Sequence, residues 1–392
     1  MQRDPRFDSF RGLFLVLMTV GHNAGPIGAI IDKPLGLGAG AEHFVLVSAI
    51  VCGMSYTRAY VSGGRSLLRS RVFSRAAMIW GAHLLCVFAV MGLVNFSDTY
   101  AAKWGPRGEL FLSNPLLAFI LSALLLYQPV ALRTLPMFVV YFCITPFVIE
   151  AVCEGRWKKV FLVSFSVWLA TQILFVFVGF GLVPLDNHFF QNLGPVDLGV
   201  FFLPGWQFLY VLGLFWGAYI ALNPGKVLSP RKGWMLVAGV FFLVFVCIRY
   251  RYGLYFLFGL DETSRFVHLM EFLWYARGNA FFGPLVVVNY IAFLYLFVPL
   301  FRSKPEWFNW PIFAVIGKYP LHVFTFHVIF RILISPLEPT LSTASAVEGV
   351  VFTLAIAASL WVPALLADRF VPKGRKKIKA AYAGGQLQPA LS

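Results

Sequence analysis

The sequence predicts an all-α protein: a polytopic membrane helix bundle of about ten transmembrane helices with an additional re-entrant or interfacial segment. Three observations carry this reading. Hydrophobic residues make up 59% of the chain and charged residues only 12%, and the mean hydropathy is +0.77, far from the averages of soluble domains. Apolar runs of about 20 residues, the length a helix needs to cross the hydrocarbon core, recur along the whole chain. The basic residues behind the net charge of +15 fall in clusters that alternate with those runs, as the positive-inside rule requires.

Taken in order, the expected spans are 10–30, 42–60, 76–96, 135–153, 160–180, 204–222, 233–250, 278–300, 311–334 and 346–367. The first follows Arg3, Arg6 and Arg11 as in a signal peptide. Further apolar segments come directly after it and no small-residue cleavage site stands out, so a retained first helix is expected. With the N-terminus inside, Arg58, Arg65, Arg69, Arg71 and Arg75 occupy the first returning loop, Arg156, Lys158 and Lys159 the next, and Lys226, Arg231 and Lys232 the third. Arg302 and Lys304 follow, and a membrane domain of residues 1–370 gives way to a basic cytoplasmic tail, 371–392.

The apolar stretch 111–128 would invert every later loop if it crossed. It lies between Asn114-Pro115 and Gln128-Pro129, which suits a broken helix packed on protein at the outer surface. The outer loops 181–203, with Asp186, His188 and Asp197, and 251–277, with Asp261, Glu262, His268 and Glu271, are long enough to shape an extracytoplasmic site.

Arg11 and His22 bracket the first run with nothing ionisable between them. Eleven residues are three helical turns and a small remainder, so both project from one face, roughly 16 Å apart along the axis. An ionisable group at His22's depth is costly and marks a functional site or a histidine satisfied by a neighbouring helix. Other chemistries lack their residues. Cys52, Cys86, Cys143, Cys153 and Cys247 are scattered as packing residues, and no two-histidine metal spacing, phosphate loop or nucleophile elbow is found, so no metal is expected. Gly36 to Gly40 reads as a turn. The basic residues are divided among short loops without a binding module, which argues against nucleic acid.

The stretch Arg3-Asp-Pro-Arg-Phe-Asp-Ser-Phe-Arg-Gly-Leu13, followed by His22, resembles the opening of the acyltransferase-3 type of membrane acyltransferases, and more closely that of the OpgC family, succinyltransferases of osmoregulated periplasmic glucans. Ala41-Glu42-x-Phe44-Val45 resembles that family's second helix. Gln128-Pro129 with Leu135-Pro136, Trp206-Gln207 with Val211-Leu212-Gly213, and Ile316-Gly317-Lys318 with Val323-Phe324 and His327 resemble its later motifs, in order, from about residue 3 to 330. The chain departs from the pattern at Ala49, where glycine is usual, and at Arg133, near the usual aspartate of the Leu-Pro segment.

The resemblance implies transfer of a short acyl group, succinyl first, from a cytoplasmic acyl-CoA co-substrate to hydroxyls of a periplasmic glucan, in a bacterial inner membrane with both termini cytoplasmic and no permanently bound cofactor. A sugar hydroxyl needs a base. His22 is the expected one, with Glu42 orienting an imidazole or the acceptor. Phosphates of the donor favour arginine; Arg11 leads, with Arg6, Arg69 and Arg75 beside it, all of which also serve as topology or lipid-headgroup contacts. Trp206, Gln207, His327 and Gln128 are expected along the substrate path. Three alternatives stand: an O-acetyltransferase of another surface polysaccharide, a transporter relaying protons through His22 and Glu42, and a structural partner in a glucan-synthesis or export complex.

Overall fold

The computed structural model describes residues 4–22, 35–104, 108–128, 132–179, 201–224, 230–278, 281–337 and 346–370, and among these the chain is helical throughout, without a strand. Helix α1 (Pro5–Gly21) begins where the Asp4 carboxylate accepts the Arg6 N–H at 3.0 Å and Pro5 takes the first turn, where a missing N–H costs nothing. It ends at Gly21, and His22 caps it, donating its backbone N–H to the Met18 carbonyl at 3.1 Å. The expected run to residue 30 is thus not one helix. Asn23 and Gly25-Pro26 are the stop signals in that run, and residues 23–34 lie outside the described set.

Helix α2 (Gly40–Phe96) has 57 residues, about 85 Å if straight and nearly three times the hydrocarbon core. It is broken at Gly63 and Gly64; Gly64 has φ +65°, a backbone that glycine adopts without steric cost. The two arms contain the expected spans 42–60 and 76–96, and residues 65–75, expected as a loop, are the first turns of the second arm. Helices α3 (Asp98–Trp104), α4 (Glu109–Ser113) and α5 (Pro115–Ala123) follow. At nine residues, about 13 Å, α5 is too short to cross. Asn114 caps it, accepting the Leu117 N–H at 3.1 Å. It is fastened to the second arm of α2 by Trp80 Nε1, which donates to the Ala123 carbonyl at 2.9 Å, and by His83 Nε2, 3.1 Å from the Ser122 carbonyl.

The remaining elements are α6 (Thr134–Cys153), α7 (Trp157–Gly179), α8 (Leu203–Leu222), α9 (Lys232–Arg249), the short α10 (Arg251–Phe258) and α11 (Arg265–Ala276), then α12 (Pro284–Ser303), α13 (Pro311–Lys318), α14 (Pro320–Ile334), α15 (Ala346–Ser359) and α16 (Trp361–Phe370). The expected span 311–334 is interrupted at Tyr319, because Pro320 supplies no N–H to the preceding turn. Eight described stretches are long and apolar enough to cross a membrane, with α2 counted once. The α2 stretch holds two arms on either side of its glycine kink, and the protein is a multi-pass membrane protein.

Helix α1 sits in the middle, against α13 and the first arm of α2, which in turn packs on α8 and α6. Lipid tails are as apolar as leucine, so such contacts depend on close backbone approach. Gly12 and Gly317 provide it: a Cβ on Gly12 would run into the Phe313 carbonyl, and one on Gly317 into the Asp8 carbonyl. Gly317→Ala is therefore expected to cost about 2–3 kcal/mol by forcing α13 off α1, whereas Gly239→Ala on α9, where a Cβ meets open space, is neutral or mildly stabilising. Thermal unfolding of the two purified variants in detergent separates them.

At the kinked end of α2 an ion-pair cluster joins its second arm to α6. Arg69 binds Glu150 at 2.9 and 3.2 Å, Arg65 binds Glu154 at 2.5 Å, and Arg156 also pairs with Glu154. Hydrogen bonds from Arg65 and Arg156 hold the Glu154 carboxyl down to about 2. With the folded value depressed, the contribution of this pairing is complete above the ordinary carboxylate range and is lost only as pH falls toward 2.

Candidate active site

His22 and His327 meet. They lie 305 residues apart in sequence, on the cap of α1 and on α14, with ring planes 13° from parallel, centroids 5.6 Å apart, and His22 Nδ1 3.4 Å from His327 Nε2. Their proton positions follow from the third member of the chain, Thr19. Its hydroxyl has one hydrogen, which it donates to the Leu15 carbonyl at 2.8 Å; the 3.1 Å contact with His327 Nδ1 therefore has the imidazole as donor. His327 then presents the lone pair of Nε2 to His22, so His22 carries its proton on Nδ1 and its own basic lone pair is on Nε2. His327 is buried at 5% exposure, Thr19 at 1%, and His22 is exposed. His22 also closes the C-terminus of α1, whose carbonyl ends favour a positive charge there.

A cavity of about 810 Å³ enters the bundle from the kinked end of α2. Near that end its lining includes Arg6, Arg11, Arg58, Arg75, Arg302 and Lys318 against the two acids Asp4 and Asp8, so the mouth is net positive and suited to a polyanion. Deeper in, the walls are apolar and aromatic: Phe10, Phe14, Phe138, Phe142, Phe293 and Phe297. The lining reaches Thr134 and Leu135 at the far end of α6, and Phe324, one turn before His327 on α14. The Phe324 ring is 6.1 Å from the His327 ring and stacks on Phe44 at 6.5 Å. An aromatic wall thus separates the inner end of the cavity from the histidine pair.

The residues expected to hold a donor divide. Arg11, 9% exposed, lines the cavity and pairs with buried Asp8 three residues away. Arg6 lines it too, held by Asp4 at 2.7 Å and by the Phe301 carbonyl at 2.8 Å, with its guanidinium 4.1 Å over the Phe301 ring. Arg75 lines it from the second arm of α2. Arg69 does not; it is engaged by Glu150. The six residues from 69 to 75 rotate the helix by about 240°, so the two cannot share a face. Arg58 and Arg302, expected only as topology signals, and Lys318, expected only as part of a family motif, join the lining instead.

Glu42, 2% exposed, turns back on its own helix and accepts the Ala39 N–H at 2.9 Å. Its neighbour His43 lines the cavity and was not singled out in the sequence. The signal was present as a stripe, His43, Val47, Ile50, Met54 and Arg58, at helical spacing along the cavity wall. Trp206, Gln207 and Gln128 lie elsewhere. Trp206, 1% exposed, packs on Phe201 at 4.6 Å. Gln207 exchanges two hydrogen bonds with Ser164, 2.7 Å and 2.8 Å, joining α8 to α7. Gln128 donates to the Leu125 carbonyl at 2.6 Å, closing the turn after α5. His83 is spent on α5, and His322 stands beside Tyr319. The outer loop residues Asp186, His188 and Asp197, and the tail 371–392, lie outside the described residues.

In comparison with known protein families, the one described as OpgC protein matches residues 3–371. No curated protein and no solved structure matches the chain. The match covers nearly the whole sequence, and the chain belongs to the OpgC family.

Proposed function

We propose that this OpgC-family protein is an O-acyltransferase that moves a short acyl group, succinyl first, from a cytoplasmic acyl-CoA to a hydroxyl of a periplasmic glucan across the bacterial inner membrane. Family membership supports a membrane acyltransferase function in glucan modification. The observation that carries the finer reading is the placement of a basic-mouthed cavity on one side of the His22–His327 pair and an exposed His22 on the other. The positive-inside rule puts the arginine mouth, the turn at 154–156 and both chain ends in the cytoplasm.

In this reading the donor's phosphates bind at Arg11, Arg6 and Arg75, bidentate where the guanidinium allows, and the thioester is carried up the aromatic cavity. The acceptor hydroxyl approaches His22 from the opposite side. His22 Nε2 takes the hydroxyl proton as the oxygen attacks the thioester carbonyl carbon; the carbon–sulfur bond then breaks and the imidazolium returns the proton to the leaving thiolate. His327 accepts the His22 Nδ1–H and holds the ring in the tautomer that leaves Nε2 basic, while the α1 C-terminus stabilises the transient positive charge. Glu42 fixes the first turn of α2, and Phe44 and Phe324 are the wall that the acyl group passes.

Incubating the purified protein with labelled succinyl-CoA or acetyl-CoA and a linear or cyclic glucan, and following ester mass, tests the assignment. Succinyl ester on the glucan is the expected product. Acetyl ester with no succinyl ester transfers the reading to an acetyltransferase, and no ester with either donor, together with glucan or anion uptake into liposomes, replaces it with a transporter.

A further inference from the structure

We infer that Arg6 and Phe301 form a flat seat for the adenine base of the donor; this rests on the reading of the cavity as the acyl-CoA site. Both side chains line the cavity at its basic end. The Arg6 guanidinium lies over the Phe301 ring, 4.1 Å from its centroid, and it is held there from two sides. The Asp4 carboxylate accepts from Nε at 3.0 Å and from one terminal nitrogen at 2.7 Å, and the Phe301 carbonyl accepts from the other at 2.8 Å. The ring beneath is fixed as well, by Phe10 at 5.9 Å, Phe297 at 5.6 Å and Phe308 at 5.5 Å. Arg6 still keeps 23% of its side-chain surface. It is a fixed plate that the cavity reaches.

Such a plate has little edge left to offer. Three N–H groups of the guanidinium are engaged, its charge is paired with Asp4, and Phe301 covers one face. The other face is suited to a second planar group, because arginine stacks on aromatic faces through both cation–π attraction and flat contact. In coenzyme A that group is the base, joined to the phosphates through one sugar. The level along the path agrees. Arg6 precedes Arg11 by five residues, about 7.5 Å along α1 toward its N-terminal end. With the phosphates at Arg11 and the thioester toward His22, the base falls on the mouth side of the phosphates, where the plate lies. Because Asp4, the Phe301 carbonyl and the surrounding rings already hold the plate, stacking on it needs no ordering of either side chain.

The test uses the full-length protein in detergent, with coenzyme A, adenosine bisphosphate, which carries the base, and ribose bisphosphate, which does not, as probes. In the wild type, titration calorimetry is expected to give a Kd about ten-fold lower for adenosine bisphosphate than for ribose bisphosphate. That ratio is the readout, because a phosphate contact affects both ligands alike and cancels from it. Arg6→Lys keeps the charge and loses the plane, and Phe301→Leu removes the ring beneath; each should bring the ratio close to one. The KM of Arg6→Lys should rise about ten-fold more for succinyl-CoA than for succinyl-phosphopantetheine, which has no base. Arg6→Lys can still pair with Asp4 and carries the test alone if Phe301→Leu does not fold. A wild-type ratio in Arg6→Lys overturns the seat even where both affinities fall, since Arg6 is then a phosphate ligand alone. A ratio near one in the wild type overturns it as well, and either result leaves the cavity reading intact. Failure of the wild type to bind coenzyme A overturns both the seat and the cavity reading.

Discussion

His22→Ala is expected to lower acyl transfer to the glucan by about 10²- to 10⁴-fold, the usual contribution of a positioned general base, with the Kd for coenzyme A unchanged. The expectation follows from tautomer and access. Thr19 fixes the proton of His327, His327 fixes that of His22, and the basic lone pair is thereby assigned to Nε2 of His22, the exposed residue of the pair. Because the base works as neutral imidazole, the rate should fall on the acid limb of the pH profile as His22 is protonated, and that limb should be absent from the residual activity of the variant. His327 acts through His22, so its test is rescue: His327→Gln, whose carbonyl can still accept the Nδ1–H, should retain more activity than His327→Leu. Steady-state rates with ester detection by mass spectrometry check all three. A His22→Ala protein at wild-type rate would remove the base from the mechanism.

Arg11→Lys is expected to raise the KM for acyl-CoA by about ten- to a hundred-fold with little change in kcat, because a point-charge ammonium replaces a planar fork while the pairing with Asp8 persists. The lysine variant is the informative one. Arg11→Ala would leave Asp8, 5% exposed, as a buried carboxylate without this partner, at a cost of about 3–5 kcal/mol, and lost activity would then report lost folding. Isothermal titration with coenzyme A, beside the kinetics, separates donor affinity from the chemical step. An unchanged KM in Arg11→Lys would mean that the phosphates bind elsewhere along the basic mouth.

The bundle was readable because its physics is local. Each span is a run of apolar residues, the hinge of α2 is a pair of glycines between two such runs, and the segment 111–128 stays short because Asn114-Pro115 restarts the helix in mid-run. His22 stood out for the same reason, as an ionisable group with no other ionisable residue between it and Arg11. Its partner did not. His327 reaches it over 305 residues, and the five-residue spacing to His322 says nothing of which face meets α1. The arginines show the limit most clearly. Arg69 and Arg75 look equivalent as loop charges, but Glu150, 81 residues away, engages one, while the helical phase turns the other into the cavity. His43 was hidden by its setting, since a histidine within an apolar stripe reads as packing until the cavity beside it is seen.

The central claim is that one imidazole is met by a thioester from one compartment and an alcohol from the other. Proteoliposomes oriented with the arginine mouth outward, loaded with glucan and given labelled succinyl-CoA only on the outside, measure this directly. The account predicts labelled glucan ester in the lumen, dependent on His22. Ester that forms only when donor and glucan share a compartment would contradict it.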